Sequence, residues 1–340
     1  MDGRRALIVG IGGQDGSYLA ELLLGKGYEV TGLIRQSTGQ MPERLAHLAG
    51  RIRLVRGDLQ DQASLIAAVE QSQPHELYNF AGTSFVPESW QQPALTVEQT
   101  GMGVVRLLEA VRVTDPSIRF YQASTSEIFG RPESSPQDER TALAPQNPYA
   151  VAKLVGHLMV QRYADGYGMF ATSGILYNHE SPRRGLEFVT RKITHAAAAI
   201  SLGLEQHLSL GDLSARRDWG FAGDYVRAMW LMLQQDEPVS YVIATGELHT
   251  VSEVVEVAFA RVGLDWRDHV LRDESFVRPR DDRAQLLGDA SRARAELGWE
   301  PSIGFVDLIE LMVDADLARL DPAREHQPAQ DWPREQAPLL

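Results

Sequence analysis

Short apolar runs alternate with amphipathic stretches through the first half of the chain, and the first apolar run ends in a cluster of glycines. Residues 6–9, 29–33, 52–55, 76–79, 119–123 and 172–176 read as strands, and 18–24, 62–70 and 100–113 as helices between them. Such alternation predicts an α/β fold, a doubly wound parallel sheet that takes its ligands at the carboxyl ends of its strands. From about residue 187 the alternation loosens into helical segments, short strands and Arg-rich loops, as in a smaller lobe that closes over a substrate. The expected division is 1–186 for the sheet domain, with late segments free to return to it, and 187–320 mainly for the smaller lobe. Residues 321–340 turn to Pro, Gln, Glu, Asp and Arg without apolar periodicity, and a mobile tail is expected there.

Gly10-Ile11-Gly12-Gly13-Gln14-Asp15-Gly16 follows the first strand and precedes a helix. In that context Gly10, Gly13 and Gly16 permit a tight turn, close approach of a pyrophosphate and close helix packing, with Gln14 and Asp15 opening a helix whose amino end faces negative charge. A Rossmann-type dinucleotide site is the reading. Arg35 ends the second strand where an NAD site commonly carries Asp or Glu, and a guanidinium there suits a 2'-phosphate, so NADP is the expected cofactor. Asp58, followed by Leu59 after the third strand, is a candidate for the adenine amino group or, equally, a helix cap. Asn79 to Ser84 follow the fourth strand with small residues, Ala81 and Ser84 among them, as a backbone passing close to a cofactor requires.

Ala123-Ser124-Thr125-Ser126-Glu127 follows the fifth strand, and Tyr149 and Lys153 stand four apart in a helix expected to start at Pro148 with Asn147 as its cap. Residues four apart share a helix face, so the Lys153 ammonium is expected to lower the Tyr149 phenol toward a usable base. That chemistry suits proton removal from a sugar or alcohol hydroxyl as hydride leaves carbon. Only three lysines occur against thirty arginines, so a lysine inside a site motif carries more weight than usual.

Bulk properties narrow the classes. A net charge of −13 argues against a nucleic-acid surface. No run of eighteen apolar residues occurs, so no membrane span is expected, and a cytoplasmic location is. Zero cysteines exclude disulfides and thiolate chemistry, and nine histidines without ligand spacing suggest no metal.

These features together resemble the extended short-chain dehydrogenase/reductases, which act on nucleotide sugars. Within them, residues 13–19, 120–127, 178–185 (NHESPRRG), 188–194 (FVTRKIT) and Arg217-Asp218-Trp219-Gly220 resemble the GDP-mannose 4,6-dehydratases, a likeness that runs from about residue 6 to 320. The resemblance implies a catalytic set: Tyr149 as the base at the hexose 4-hydroxyl, Lys153 on the phenolate and the nicotinamide ribose, Thr125 on the 4-oxygen, and Glu127 as base at C5 and then acid at C6. It implies Arg217 and Arg278 on the diphosphate, Asn178 and Ser84 on sugar or phosphates, Val189 and Lys192 on the guanosine side, and His179 and Arg184 toward the cofactor. A homodimer or homotetramer is expected.

Four differences from the family pattern stand out: Gly12 for Thr, Gln36 for a second Arg in a loop that in relatives joins NADP to a neighbouring subunit, Gly82-Thr83 for Ala-Gln, and an altered stretch at 277–284. On the matched stretches, dehydration of GDP-mannose is the first reading. The same dehydration of another nucleotide sugar is the second, and a catalytically silent NADP-binding regulator the third.

Overall fold

The computed structural model describes residues 3–35, 41–276, 285–321 and 331–332. Six strands follow the expected alternation: β1 (Arg5–Val9), β2 (Glu29–Ile34), β3 (Arg53–Arg56), β4 (Glu76–Asn79), β5 (Arg119–Ala123) and β6 (Ala171–Leu176). A seventh, Tyr241–Ile243, comes from the later half and pairs with β6. Every pairing is parallel, in the order β3, β2, β1, β4, β5, β6 and then the late strand.

β1 shows why this sheet is buried on both faces. Ala6 and Ile8 enter one apolar core and Leu7 and Val9 the other, all at most 1% exposed. An alternating strand with apolar residues at every position must be covered on both sides, as βα crossovers do. Burial of each Leu or Ile here contributes roughly 1.5–3 kcal/mol. Register then aligns the strand ends: Val9 lies opposite both Leu33 and Asn79, and Asn79 opposite Gln122. The turns after β1, β2, β4 and β5 therefore leave from one edge of the sheet.

The helix expected over 100–113 starts at Gly103, behind a π-helical turn, Val97–Met102. The turn is closely packed: a Cβ on Gly101 would lie 3.2 Å from the Ala152 carbonyl oxygen. Asp61, not Asp58, caps the Gln62–Ser72 helix, its carboxylate accepting from the Ala63 and Ser64 N–H groups.

Three helices of the later half, Val189–Ser201, Val251–Arg261 and Phe305–Leu320, pack around Ile193, Val254, Ala258 and Ile309 as a separate core. Within the stretch expected to be a mobile tail, the two described residues beyond 321 are docked. Trp332 is 9% exposed and meets Tyr18 and Phe221 edge-on, and its indole N–H donates to Glu21. The Tyr18 hydroxyl donates to the Asp331 carbonyl oxygen at 2.6 Å, and Arg183 Nε to the Asp331 carboxylate at 2.8 Å. Composition hid this because one aromatic residue makes most of the contact.

Candidate active site

The glycine turn is shaped by contact. Gly10 has φ +87°, and a Cβ there would lie 2.9 Å from the Ala81 nitrogen; a Cβ on Gly16 would lie 2.5 Å from the Gly10 carbonyl oxygen. The first turn and the segment after β4 thus touch backbone to backbone. Asn79 secures the second segment, accepting from the Ala81 N–H at 3.1 Å and donating to Gln122 at 2.8 Å. Gly13 precedes the Gln14–Gly25 helix, whose amino end opens at the sheet edge.

Gln14 and Asp15 bind protein. The Gln14 amide donates to the His179 carbonyl oxygen and to Asp15, and accepts from the Ser181 hydroxyl. Asp15 Oδ2 lies 3.0 Å from His179 Nε2. Burial works to raise the Asp15 carboxyl, but the His179 charge and hydrogen bond outweigh it and bring it down to about 2. Arg35 is exposed just beyond β2, Asp58 holds a turn by accepting from the Gln60 N–H at 2.9 Å, and Leu59 is buried behind it.

A cavity of about 870 Å³ opens beside this edge, within the size range of small-molecule sites. It brings together twelve residues singled out from the sequence: Asp15, Ser84, Thr125, Glu127, Tyr149, Lys153, Asn178, His179, Arg184, Val189, Lys192 and Arg217. Gly10, Gly13, Gly16, Arg35, Asp58, Leu59 and Ala81 lie outside its lining, along the sheet edge. Arg278 and Gln36 fall outside the described residues.

Thr125 begins a short 3-10 turn, Ser126–Phe129, and its hydroxyl accepts from the Glu127 N–H at 3.3 Å. The Pro148–Tyr167 helix starts where expected, with Asn147 capping it. Tyr149 and Lys153 share its inward face, but the phenol is raised rather than lowered as expected. Lys153 Nζ donates to the Ala123 carbonyl oxygen at 3.0 Å and lies 5.8 Å from the Tyr149 ring centre. Burial raises the phenol to about 12, with the Glu127 charge acting the same way against a hydrogen bond from Thr125. Burial brings the Lys153 ammonium down to about 8, partly offset by Asp15.

The two cations expected on the substrate side, Lys192 and Arg217, also line the cavity. Lys192 donates to the Ser209 carbonyl oxygen at 2.8 Å, and burial lowers its ammonium. Arg217 lies in a two-residue ladder opposite His249 and donates to the Arg216 carbonyl oxygen at 2.7 Å. Asp218, next in sequence, is fully buried and accepts from the Thr245 hydroxyl and the Thr245 and Gly246 N–H groups, so it fixes the Arg217 strand.

Sequence reasoning missed an aromatic wall. Phe85 meets Phe188 edge-on at 5.8 Å, and the Arg184 guanidinium lies 3.5 Å from the Phe188 ring centre. The available signal was Phe85 itself, an aromatic residue directly after Ser84.

The family model described as GDP-mannose 4,6 dehydratase matches residues 7–312. The chain belongs to the GDP-mannose 4,6-dehydratase family. It is 49% identical over 324 residues to GDP-mannose 4,6 dehydratase 1 of Arabidopsis thaliana, covering 92% of this chain and 89% of that one. It is 44% identical over 346 residues to GDP-mannose 4,6 dehydratase of Homo sapiens, covering 93% of each. Among solved structures, the UDP-glucose 4-epimerase of Thermus thermophilus in complex with NAD superposes with a TM-score of 0.79 at 27% identity, covering 91% of this chain and 98% of that one.

Two departures from the family pattern now have surroundings. A side chain at Gly12 would meet Pro42, its Cβ 2.9 Å from the Pro42 Cγ. Gly82 has φ +145°, and the loop there is held by Thr100, whose hydroxyl accepts from the Thr83 N–H at 3.1 Å.

Proposed function

We propose that this chain converts GDP-mannose to GDP-4-keto-6-deoxymannose with a nicotinamide nucleotide held through turnover. One observation carries the reading: Thr125, Glu127, Tyr149 and Lys153 line a single cavity next to a glycine turn, in a member of this family. The pocket fits a nicotinamide nucleotide on two structural grounds. Gly10 and Gly16 leave no room for side chains at the turn, and the buried Ser124 hydroxyl lines the cavity beside Lys153 without a partner among the described residues.

When bound, the oxidised nucleotide supplies a hydride acceptor and a positive charge that favours the phenolate. Tyr149 takes the proton of the 4-hydroxyl, assisted by Thr125, as C4 becomes a ketone. The ketone acidifies the C5 proton, which Glu127 removes. Protonated Glu127 then gives that proton to the C6 hydroxyl, which departs as water; C6 would regain the hydride held by the nucleotide while C5 takes a proton, in net the one that Tyr149 removed from the 4-hydroxyl. Lys153 orients the ribose end, and Arg217 pairs with the diphosphate. Val189 and Lys192 serve the guanosine side, Asn178 and Ser84 the sugar or phosphates.

Arg35 favours NADP over NAD, since an exposed guanidinium beyond β2 suits a 2'-phosphate. A homodimer is supported by Val151 and Leu158, both 43% exposed and seven residues apart on one helix face. Among the described residues no helix is long and apolar enough to cross a membrane.

The test is mass spectrometry of the purified protein with NADP and a panel of GDP-, UDP-, CDP- and dTDP-hexoses. Loss of one water from GDP-mannose is expected. Loss of water from another sugar nucleotide instead would retain the chemistry and move the specificity. No turnover of any would overturn the reading.

A further inference from the structure

Four side chains with proposed chemical roles, Thr125, Glu127, Tyr149 and Lys153, come from two separate segments, and one residue touches both. Asn147 is 5% exposed. Its Oδ1 accepts from the Ala150 N–H at 2.8 Å, capping the helix that carries Tyr149 and Lys153, and its Nδ2 donates to Glu127 Oε2 at 3.1 Å. The cap fixes which end of the amide faces which partner, because only the oxygen can accept from a backbone N–H. The nitrogen is thereby left toward the carboxylate. The contacts run in a short chain: Asn147 to Glu127 and the Glu127 N–H to Thr125, with Tyr149 two residues after Asn147 at the start of the helix.

We propose that Asn147 is a positioning residue that sets the Glu127 carboxylate for the C5–C6 elimination and favours its ionised form before substrate arrives. A donor fixed by a helix cap favours the charged carboxylate, which can only accept. It also holds Glu127 at a set distance from the Tyr149 helix, so the base for C4 and the base for C5 keep one geometry. Other groups acting on this corner are the Tyr149 phenol, which senses the Glu127 charge, with Arg184 and Asp15 acting on the same phenol and Lys153 one turn further along. The proposal rests on the dehydratase reading for the step that it serves, and on geometry alone for the contact.

Two variants separate its cap from its donor. Asn147→Ser keeps a good helix cap but is too short to span to Glu127, and Asn147→Asp keeps the cap while replacing the donor with a second carboxylate. With substrate, Asn147→Ser is expected to reduce nucleotide in the first half-reaction at the parent rate. Its kcat for water loss should fall about tenfold or more with KM little changed. In Asn147→Asp the acidic limb of the kcat profile should move up by about one unit or more, because a like charge disfavours ionised Glu127. Carbon-13 NMR of labelled glutamate, with Glu127→Gln assigning the signal, reads the same shift without turnover. An unmoved Glu127 titration in Asn147→Asp overturns the positioning role even if no sugar is turned over. Absence of water loss in the parent enzyme, with the titration shifted, overturns the dehydratase reading alone.

Discussion

His179 meets an acceptor at each ring nitrogen: Nε2 lies 3.0 Å from Asp15 Oδ2, and Nδ1 lies 2.8 Å from the Tyr177 carbonyl oxygen. Both nitrogens can be satisfied together only when both carry protons. Burial opposes that charge, yet Asp15 outweighs it and the imidazole is raised above its ordinary value. The ring also stacks on Tyr225 at 4.6 Å. The pair joins the first βα turn to the strand that follows β6, Asn178–Glu180.

Its stabilisation has a defined pH window. The Asp15 part is present above the unfolded carboxyl range and is lost as pH falls through about 2. The His179 part is complete below the unfolded imidazole value, about 6.5, and is lost as pH rises through the raised folded value. A double-mutant cycle with Asp15→Asn and His179→Asn should give a coupling of about 1–3 kcal/mol at pH 6, falling well below that at pH 9. Equal couplings by denaturant unfolding at the two pH values would contradict a charged pair.

Glu127→Gln should split the reaction. The amide cannot take the C5 proton, so water loss should fall by about 10²–10⁴ while nucleotide reduction at C4 persists. Deuterium exchange at C5 and near-ultraviolet absorbance of the reduced nucleotide follow the two halves separately. Undiminished C5 exchange would remove Glu127 from the elimination.

Tyr149 should be a poor base until the nucleotide arrives. Burial holds its phenol at about 12 in the free protein, so its ionisation difference spectrum should be missing near neutral pH. Adding NADP should move the transition down by about one unit or more, since a nearby positive charge favours phenolate. Tyr149→Phe isolates the signal, and a transition unmoved by NADP would assign the activation elsewhere.

Lys153 should cost stability. Its ammonium titrates at about 8, below the unfolded value, so the unfolded chain holds the extra proton between them and parent stability rises with pH across that interval. Lys153→Met should therefore be more stable at pH 7 by about 1–3 kcal/mol while losing turnover. Urea midpoints at pH 7 and pH 10 check both the sign and the convergence. A destabilised variant at pH 7 would mean that the bond to Ala123 outweighs desolvation.

Trp332→Ala should lower stability by about 3 kcal/mol, in the range for an aromatic removed from a packed site. Its contacts fall on Tyr18 and Phe221, so nucleotide affinity should drop with it. Thermal unfolding with and without NADP reads both, and a parent-like midpoint would show the docking to be incidental.

Where local pattern governs, the chain could be read directly. β4 and β5 have the bounds expected from sequence because each centres on an apolar pair, Leu77-Tyr78 and Phe120-Tyr121, set between helical segments. Asn147 and Pro148 announce a helix start by cap chemistry that acts over three residues. What could not be read depends on distant partners. Lys153 could be placed on the Tyr149 face, but its bond to Ala123 comes from β5, thirty residues earlier. The cap of the Gln62–Ser72 helix fell to Asp61 because a cap must adjoin the first turn, which a strand-end aspartate three residues earlier does not. The Asn147 contact to Glu127 joins two motifs that each looked complete alone.

Tyr18 and Trp332 lie more than three hundred residues apart in sequence and in direct ring contact in space. A ribosome delivers the glycine turn and its helix long before the indole that packs on that helix. The contact of Tyr18 with Trp332 can therefore form only after most of the sheet and of the smaller lobe has been made. Until then Tyr18 lacks that one aromatic cover.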